Sequence, residues 1–92
     1  MTHFNNNITQ DQLKALLSLS HECGKVLFTI GKILKNGYDD TTGSNYHTLR
    51  EKLEHDLGGL KAVTEILTDS GDLSKVNILT FKQEKLGKLK HR

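Results

Sequence analysis

Ser20-His21-Glu22-Cys23-Gly24-Lys25-Val26-Leu27-Phe28-Thr29-Ile30-Gly31-Lys32-Ile33-Leu34-Lys35-Asn36-Gly37 decides how this chain is read. It reads as the second half of a long helix. Upstream, Thr9-Gln10-Asp11-Gln12 has the form of a capping box, with Thr9 as N-cap and Gln12 reaching back. Downstream, Asn36-Gly37 is a stop, because glycine tolerates the positive φ of a helix C-terminus. A helix from about residue 10 to Lys35 follows. With Leu13 at zero and a step of about 100° per residue, Leu16, Leu17, Gly24, Leu27, Gly31 and Leu34 fall on one side. Leu19, Cys23, Val26, Ile30 and Ile33 widen that surface. Lys14, Ser18, His21, Glu22, Lys25, Thr29 and Lys32 take the remaining sector. The apolar arc exceeds what one packing partner needs, so two layers are expected against it. Gly24 and Gly31 each cost roughly 1 kcal/mol in a helix relative to alanine, and close approach of another helix is the expected return. Cys23 reads as a small core residue.

Working outward, residues 1 to 8 are polar and Asn-rich and are expected to form a flexible arm that Phe4 and Ile8 can dock. Residues 38 to 47 form a polar loop. Either it is a plain crossover, or it covers a ligand with Tyr38 and Tyr46 available to stack on a base. Thr48-Leu49-Arg50-Glu51 is a second capping box and opens a helix to about Asp69. Leu49, Leu53, Leu57, Leu60, Val63 and Leu67 make its apolar stripe. Asp56 lies inside that stripe, where an unpaired charge is expensive. Gly58-Gly59 is a costly pair for a helix interior. Ser70-Gly71-Asp72 breaks the helix, and Ser70 or Asp72 is available to cap a third one. Leu73, Val76, Leu79, Leu86 and Leu89 carry that helix to the end, and its closing lysines suit the helix dipole.

The whole chain, 92 residues with 35% apolar and 26% charged residues, suits one folded domain spanning 1–92. There is no proline, which favours long helices. The formal charge of +2 is too small to argue for nucleic acid. One cysteine excludes an intrachain disulfide and fits a reducing, cytoplasmic setting. No signal peptide and no membrane span are read. A chain this short commonly gains burial by self-association. The expected fold is all-α, with long antiparallel helices completed by homo-oligomerisation into a dimer or tetramer.

His21-Glu22 fails the zinc-protease pattern H-E-x-x-H because Lys25 stands at the second histidine position. Cys23 lacks partner ligands at zinc spacing, and neither a P-loop nor G-x-G-x-x-G is present. A different pattern matches. Glu22-Cys23-Gly24-Lys25-Val26 with Gly31-Lys32-Ile33-Leu34-Lys35-Asn36-Gly37, the run Thr48 to Leu60, and the tail Phe81 to Lys90 together resemble the all-α nucleoside triphosphate pyrophosphohydrolases, the MazG-like group. The short members found in phages are the most similar in style. The resemblance covers about residues 13 to 91 and implies a MazG-like helical bundle. In that family an E-x-x-E pair on one helix faces an E-x-x-D pair on the next, and the four acids bind the Mg²⁺ that holds the triphosphate.

Here the aligned positions are Glu22, Lys25, Asp56 and Gly59. Two acids remain, one position has become a cation, and one has lost its side chain. Lys25 opposes a metal. It can instead donate its own charge to a phosphate, with His21 and Lys32 on the same stripe and Lys35 near its end. The resemblance, so modified, implies a catalytically degenerate protein that binds a nucleotide or another phosphate-containing small molecule without hydrolysing it and without a cofactor. A phage could use such a site, in the host cytoplasm, to sequester a nucleotide signal of host defence. One alternative is an active Mg²⁺-dependent nucleoside triphosphate pyrophosphohydrolase, with Glu22 and Asp56 as metal ligands. Another is a structural helical oligomer that binds another protein, in which Lys25 is solvated and Asp56 pairs with Lys52 one turn away.

Overall fold

The computed structural model describes residues 6–41 and 47–91. Three helices are present in this part of the chain, α1 (Gln10–Asn36), α2 (Leu49–Asp69) and α3 (Lys75–Lys90), and the described residues contain no strand. The all-α expectation holds at this level.

Helix α1 begins with both bonds of the expected capping box. Gln12 N–H donates to Thr9 Oγ1 at 3.1 Å, and Thr9 N–H donates to Gln12 Oε1 at 2.9 Å. It ends at Gly37, whose φ of 91° explains the glycine and whose N–H donates to Ile33 O at 2.7 Å. Helix α2 is capped by Thr48, which accepts from Glu51 N–H at 3.1 Å. Its box is only half closed, because Glu51 accepts from His47 N–H rather than from Thr48. The next two N–H groups of α2 are satisfied by the loop: Leu49 donates to Asp40 O and Arg50 donates to Tyr38 O. The third helix is capped by neither Ser70 nor Asp72. Ser74 does this, accepting from Asn77 N–H at 3.1 Å. Ser70 Oγ is spent on Leu67 O, and Asp72 accepts from Gln12 Nε2 at 2.9 Å.

That last bond joins the start of α1 to the chain just beyond the end of α2, while Asp40 and Tyr38 join the end of α1 to the start of α2. The two helices therefore run antiparallel. The buried residues between them are Leu49, Leu67, Thr29 and Asp56. Ile8 of the N-terminal arm reaches a cavity of about 230 Å³ with Leu16, Leu67 and Leu73. Phe4 and Tyr46 lie outside the described residues.

The orientation of α1 corrects one expectation. Its polar sector, with Glu22, Lys25 and Thr29, turns toward α2. The side carrying Leu17, Leu27 and Leu34 turns outward, and these three are 61%, 69% and 82% exposed. The reason is on α2. Asp56 sits in the middle of the α2 stripe and requires polar partners; Lys52 of α2 is one, and the polar sector of α1 supplies the other, Thr29, across the seam. Gly24 and Gly31 accordingly meet no neighbouring atom within 4 Å, and Cys23 is exposed rather than in the core.

The third helix buries no residue, and a cleft of about 380 Å³ separates it from α2, lined in part by Leu60, Thr64, Ile78 and Leu79. The molecule spans 44 × 42 × 20 Å with a radius of gyration of 16.5 Å. A compact chain of this length has a radius near 12 Å, on the order of 2.2·N^0.38. The accessible surface is 7495 Å², whereas a compact monomer of this mass exposes about 5,400 Å².

Gly58 faces open space inside α2. Gly58→Ala is expected to raise the unfolding free energy by about 1 kcal/mol through helix propensity alone. Urea unfolding followed by circular dichroism checks this, and an unchanged or lower midpoint would show that the position is covered.

Candidate functional site

Among the described residues the most constrained polar group is the Asp56 carboxylate, which is 0% exposed. Thr29 Oγ1 donates to its Oδ2 at 2.6 Å across the helix pair. Lys52, one turn earlier on α2, donates from Nζ to Oδ1 at 2.9 Å and to Oδ2 at 3.1 Å. His55 Nδ1 stands 3.7 Å from Oδ1. Burial pushes the Asp56 pKa up. The hydrogen bonds from Thr29 and Lys52, the Lys52 charge and the His55 contact outweigh burial, so the net shift is below the ordinary value of 3.8. Among the described residues no buried side-chain polar atom is left unsatisfied.

Glu22 lies further along the same seam. Its carboxylate is 3.6 Å from Lys25 Nζ, a pair three residues apart on α1. The carboxylate also occupies the space over Gly59, where an added Cβ would collide with Glu22 Oε1. The α1–α2 register therefore brings positions 22 and 59 face to face, and Gly59 is the residue that lets the Glu22 side chain lie against α2.

The other expected site residues are less gathered. His21 is exposed on α1. Lys32 lies over the Phe28 ring, 4.7 Å from its centroid. With Leu13 at zero, His21, Lys25 and Lys32 stand at about 80°, 120° and 100°, so one stripe holds them, with Lys32 about 10 Å beyond Lys25 along the axis. Lys35 stands at about 40° and is exposed in the last turn. It borders the outward apolar side instead of joining the stripe. Tyr38 is half exposed, with the Arg50 guanidinium over one face of its ring, 4.5 Å from the centroid, and Arg50 also approaches Asp39 at 3.4 Å. Neither cavity is lined by Glu22, Lys25 or Asp56.

Mg²⁺ takes near-octahedral oxygens, commonly one or two carboxylates with phosphates and water. The donor set here does not fit that requirement. Both oxygens of Asp56 accept from an ammonium group, and Glu22 lies beside a second one. Two acids and two lysines leave no net negative charge for a dication. Among the described residues no group of three or more His, Cys, Asp or Glu is placed to hold a metal ion.

The Lys52–Asp56 pair is legible from the i, i+4 spacing. The Thr29 bond is not, because it forms between helices. Its one signal is that Thr29 lies seven residues past Glu22 on the same stripe. No protein-family model, curated protein or solved structure matches this chain. Among the described residues no helix is long and apolar enough to cross a membrane.

Proposed function

We propose that this chain is a non-hydrolysing protein of MazG-like type. It associates with copies of itself and holds a phosphate-bearing ligand, a nucleotide first of all, through cations instead of Mg²⁺. One observation carries the reading. Each acid at a position that resembles a metal ligand is paired with a lysine of its own helix, Glu22 with Lys25 at 3.6 Å and Asp56 with Lys52 at 2.9 Å. Such carboxylates have no charge to spare for a metal. Lys25 is 30% exposed in its side chain and shares its stripe with His21 and Lys32, so an anionic ligand reaches cations first. A protein of this kind sequesters a nucleotide and does not consume it, which is the use a phage would make of it against a host signal.

Titration calorimetry with ATP, in Mg²⁺ and in EDTA, tests this. Binding is expected to persist in EDTA, with no pyrophosphate released. Lys25→Ala is expected to weaken it about tenfold or more, since a charge-assisted hydrogen bond contributes roughly 1.5–3 kcal/mol. Turnover that disappears in Glu22→Ala would overturn the proposal in favour of the hydrolase. An ATP affinity indifferent to Lys25→Ala would favour a structural oligomer that binds another protein. That second reading has its own observation: the buried Asp56 carboxylate has its hydrogen bonds filled from within the helix pair, by Lys52 and Thr29, as a purely structural layer would.

A further inference from the structure

The cleft of about 380 Å³ between α2 and α3 plays no part in the ligand reading, and none of its lining residues belongs to the Glu22–Lys25 seam. Its α2 wall is Leu60, Thr64 and Thr68, with Lys61 and Glu65 beside them. Both threonine hydroxyls donate to carbonyls of their own helix, Thr64 to Leu60 O at 2.8 Å and Thr68 to Glu65 O at 3.0 Å, so neither proton is left for the cleft. Its α3 wall is Ile78 and Leu79, with Lys75 next to them. At about 100° per residue, Ile78, Leu79, Leu86 and Leu89 share a sector of roughly 120° with Lys75, Lys82 and Lys90. All of these are exposed, and α3 buries no residue. The helix carries five lysines against one acid, Glu84, in a chain whose total charge is +2, so the rest of the chain is net acidic. Among the described residues none of the five lysines is paired with an acid.

We infer that this surface holds an acidic amphipathic helix contributed by a different protein. Aliphatic side chains and unpaired cations stand together on one side of α3, so the occupant has to bring apolar groups and carboxylates on one face. No helix of this chain offers that, from the same copy or a second one. Helix α1 has a free apolar side but is basic, with four lysines against two acids. Helix α2 has the acids, but its apolar stripe is turned to α1, where Leu49 and Leu67 are buried. Residues 1–5 and 42–46 contain no acid at all. A bilayer surface fits less well. Lys75 and Lys82 stand between Leu89 and Leu86 in the middle of the apolar sector, whereas a helix lying in a bilayer keeps its cations on the opposite face. A nucleic acid would take up the lysines and leave the leucines uncovered.

The test uses a synthetic probe and no nucleotide. A fluorescent peptide of about 14 residues, with leucines at i, i+3, i+4 and i+7 and glutamates between them, is titrated with the full chain. Saturable binding is expected, weakening about tenfold between low and high salt, with no binding of the same peptide carrying lysines in place of the glutamates. Amide exchange should slow on binding along residues 60–68 and 75–90 and stay unchanged along α1. Leu79→Asp is expected to weaken the glutamate peptide at least tenfold. Lys75→Glu, Lys82→Glu and Lys90→Glu together are expected to exchange the preference, so that the lysine peptide binds instead. These positions are exposed, and an unchanged helical signal at 222 nm verifies that the variants fold. A glutamate peptide that binds no better than the lysine peptide, or than a scrambled peptide of the same composition, would overturn the inference. Slowed exchange confined to α1 would overturn it too. Phosphatidylglycerol vesicles that bind more tightly than the peptide, with binding lost in Leu79→Asp, would assign α3 to a membrane. A sedimenting mass that falls in Leu79→Asp would assign the cleft to a second copy.

Discussion

Asp56→Ala is expected to destabilise the fold by about 3 kcal/mol. Removing one partner of a buried ion pair costs about 3–5 kcal/mol, because it strands the other charge. The lower end applies here, since Lys52 is 25% exposed in its side chain and can turn its ammonium to water. The Thr29 hydroxyl, 1% exposed as a residue, loses its acceptor and adds to the cost. Urea unfolding monitored at 222 nm checks the value, and a loss below about 0.5 kcal/mol, the level of an exposed helix pair, would contradict the burial of this group. The companion variant separates stability from specificity. Replacing Asp56 and Lys52 together by leucines removes both charges, and such replacements are often neutral or stabilising by about 1–4 kcal/mol. Recovery in the double variant would show that the layer fixes how α1 is rotated on α2 more than how tightly it is held.

The same group sets the acid response. Its pKa is lowered in the folded chain relative to the ordinary 3.8. The folded state therefore binds this proton less readily than the unfolded state does. The stabilisation is fully present above pH 3.8 and is lost as the pH falls through the lower folded value. Asp56→Asn is expected to flatten the stability profile in that acid window while leaving its shape near neutrality unchanged.

Capping chemistry is local, and for that reason the helix boundaries are legible in the sequence. Thr9 with Gln12, Thr48 and Gly37 act where their spacing places them. The start of α3 is not legible in the same way. Ser70, Asp72 and Ser74 are all residue types that cap helices, and the choice among them is made at a distance, where Gln12 of α1 draws off Asp72. The rotation of α1 escapes the sequence for a related reason. A helical wheel sorts residues into sides but does not say which side meets which neighbour. The wide apolar arc marks the obvious core face, yet one buried acid on α2 selects the opposite face. The spacing does make Asp56 stand out as misplaced in an apolar stripe. What it cannot supply is the donor across the seam, Thr29, because that contact depends on the register between two helices.

Reversing the two altered positions is expected to convert the seam into a metal site. Lys25→Glu removes the ammonium that now lies beside Glu22, and Gly59→Asp places a carboxylate where the Glu22 side chain lies. The Glu22 carboxyl group is the far end of a flexible side chain, so it can swing away from the new side chain. The four positions would then carry four acids with only Lys52 nearby, and without a cation their repulsion should lower the melting temperature. Mg²⁺ should restore it. A ligand at 100 times its dissociation constant stabilises by about 2.7 kcal/mol, which for a domain of this size corresponds to roughly 10–20 °C. The measurement is a thermal melt of the double variant in EDTA and in Mg²⁺, beside the wild-type chain, whose melting temperature should be the same in both. Equal melting temperatures for the variant in the two conditions would mean that residues 22, 25, 56 and 59 do not converge on a common point, and the resemblance that aligned them would fail with them. A Mg²⁺-dependent rise would instead trace the loss of a metal site in the wild-type seam to two residues, Lys25 on α1 and Gly59 on α2.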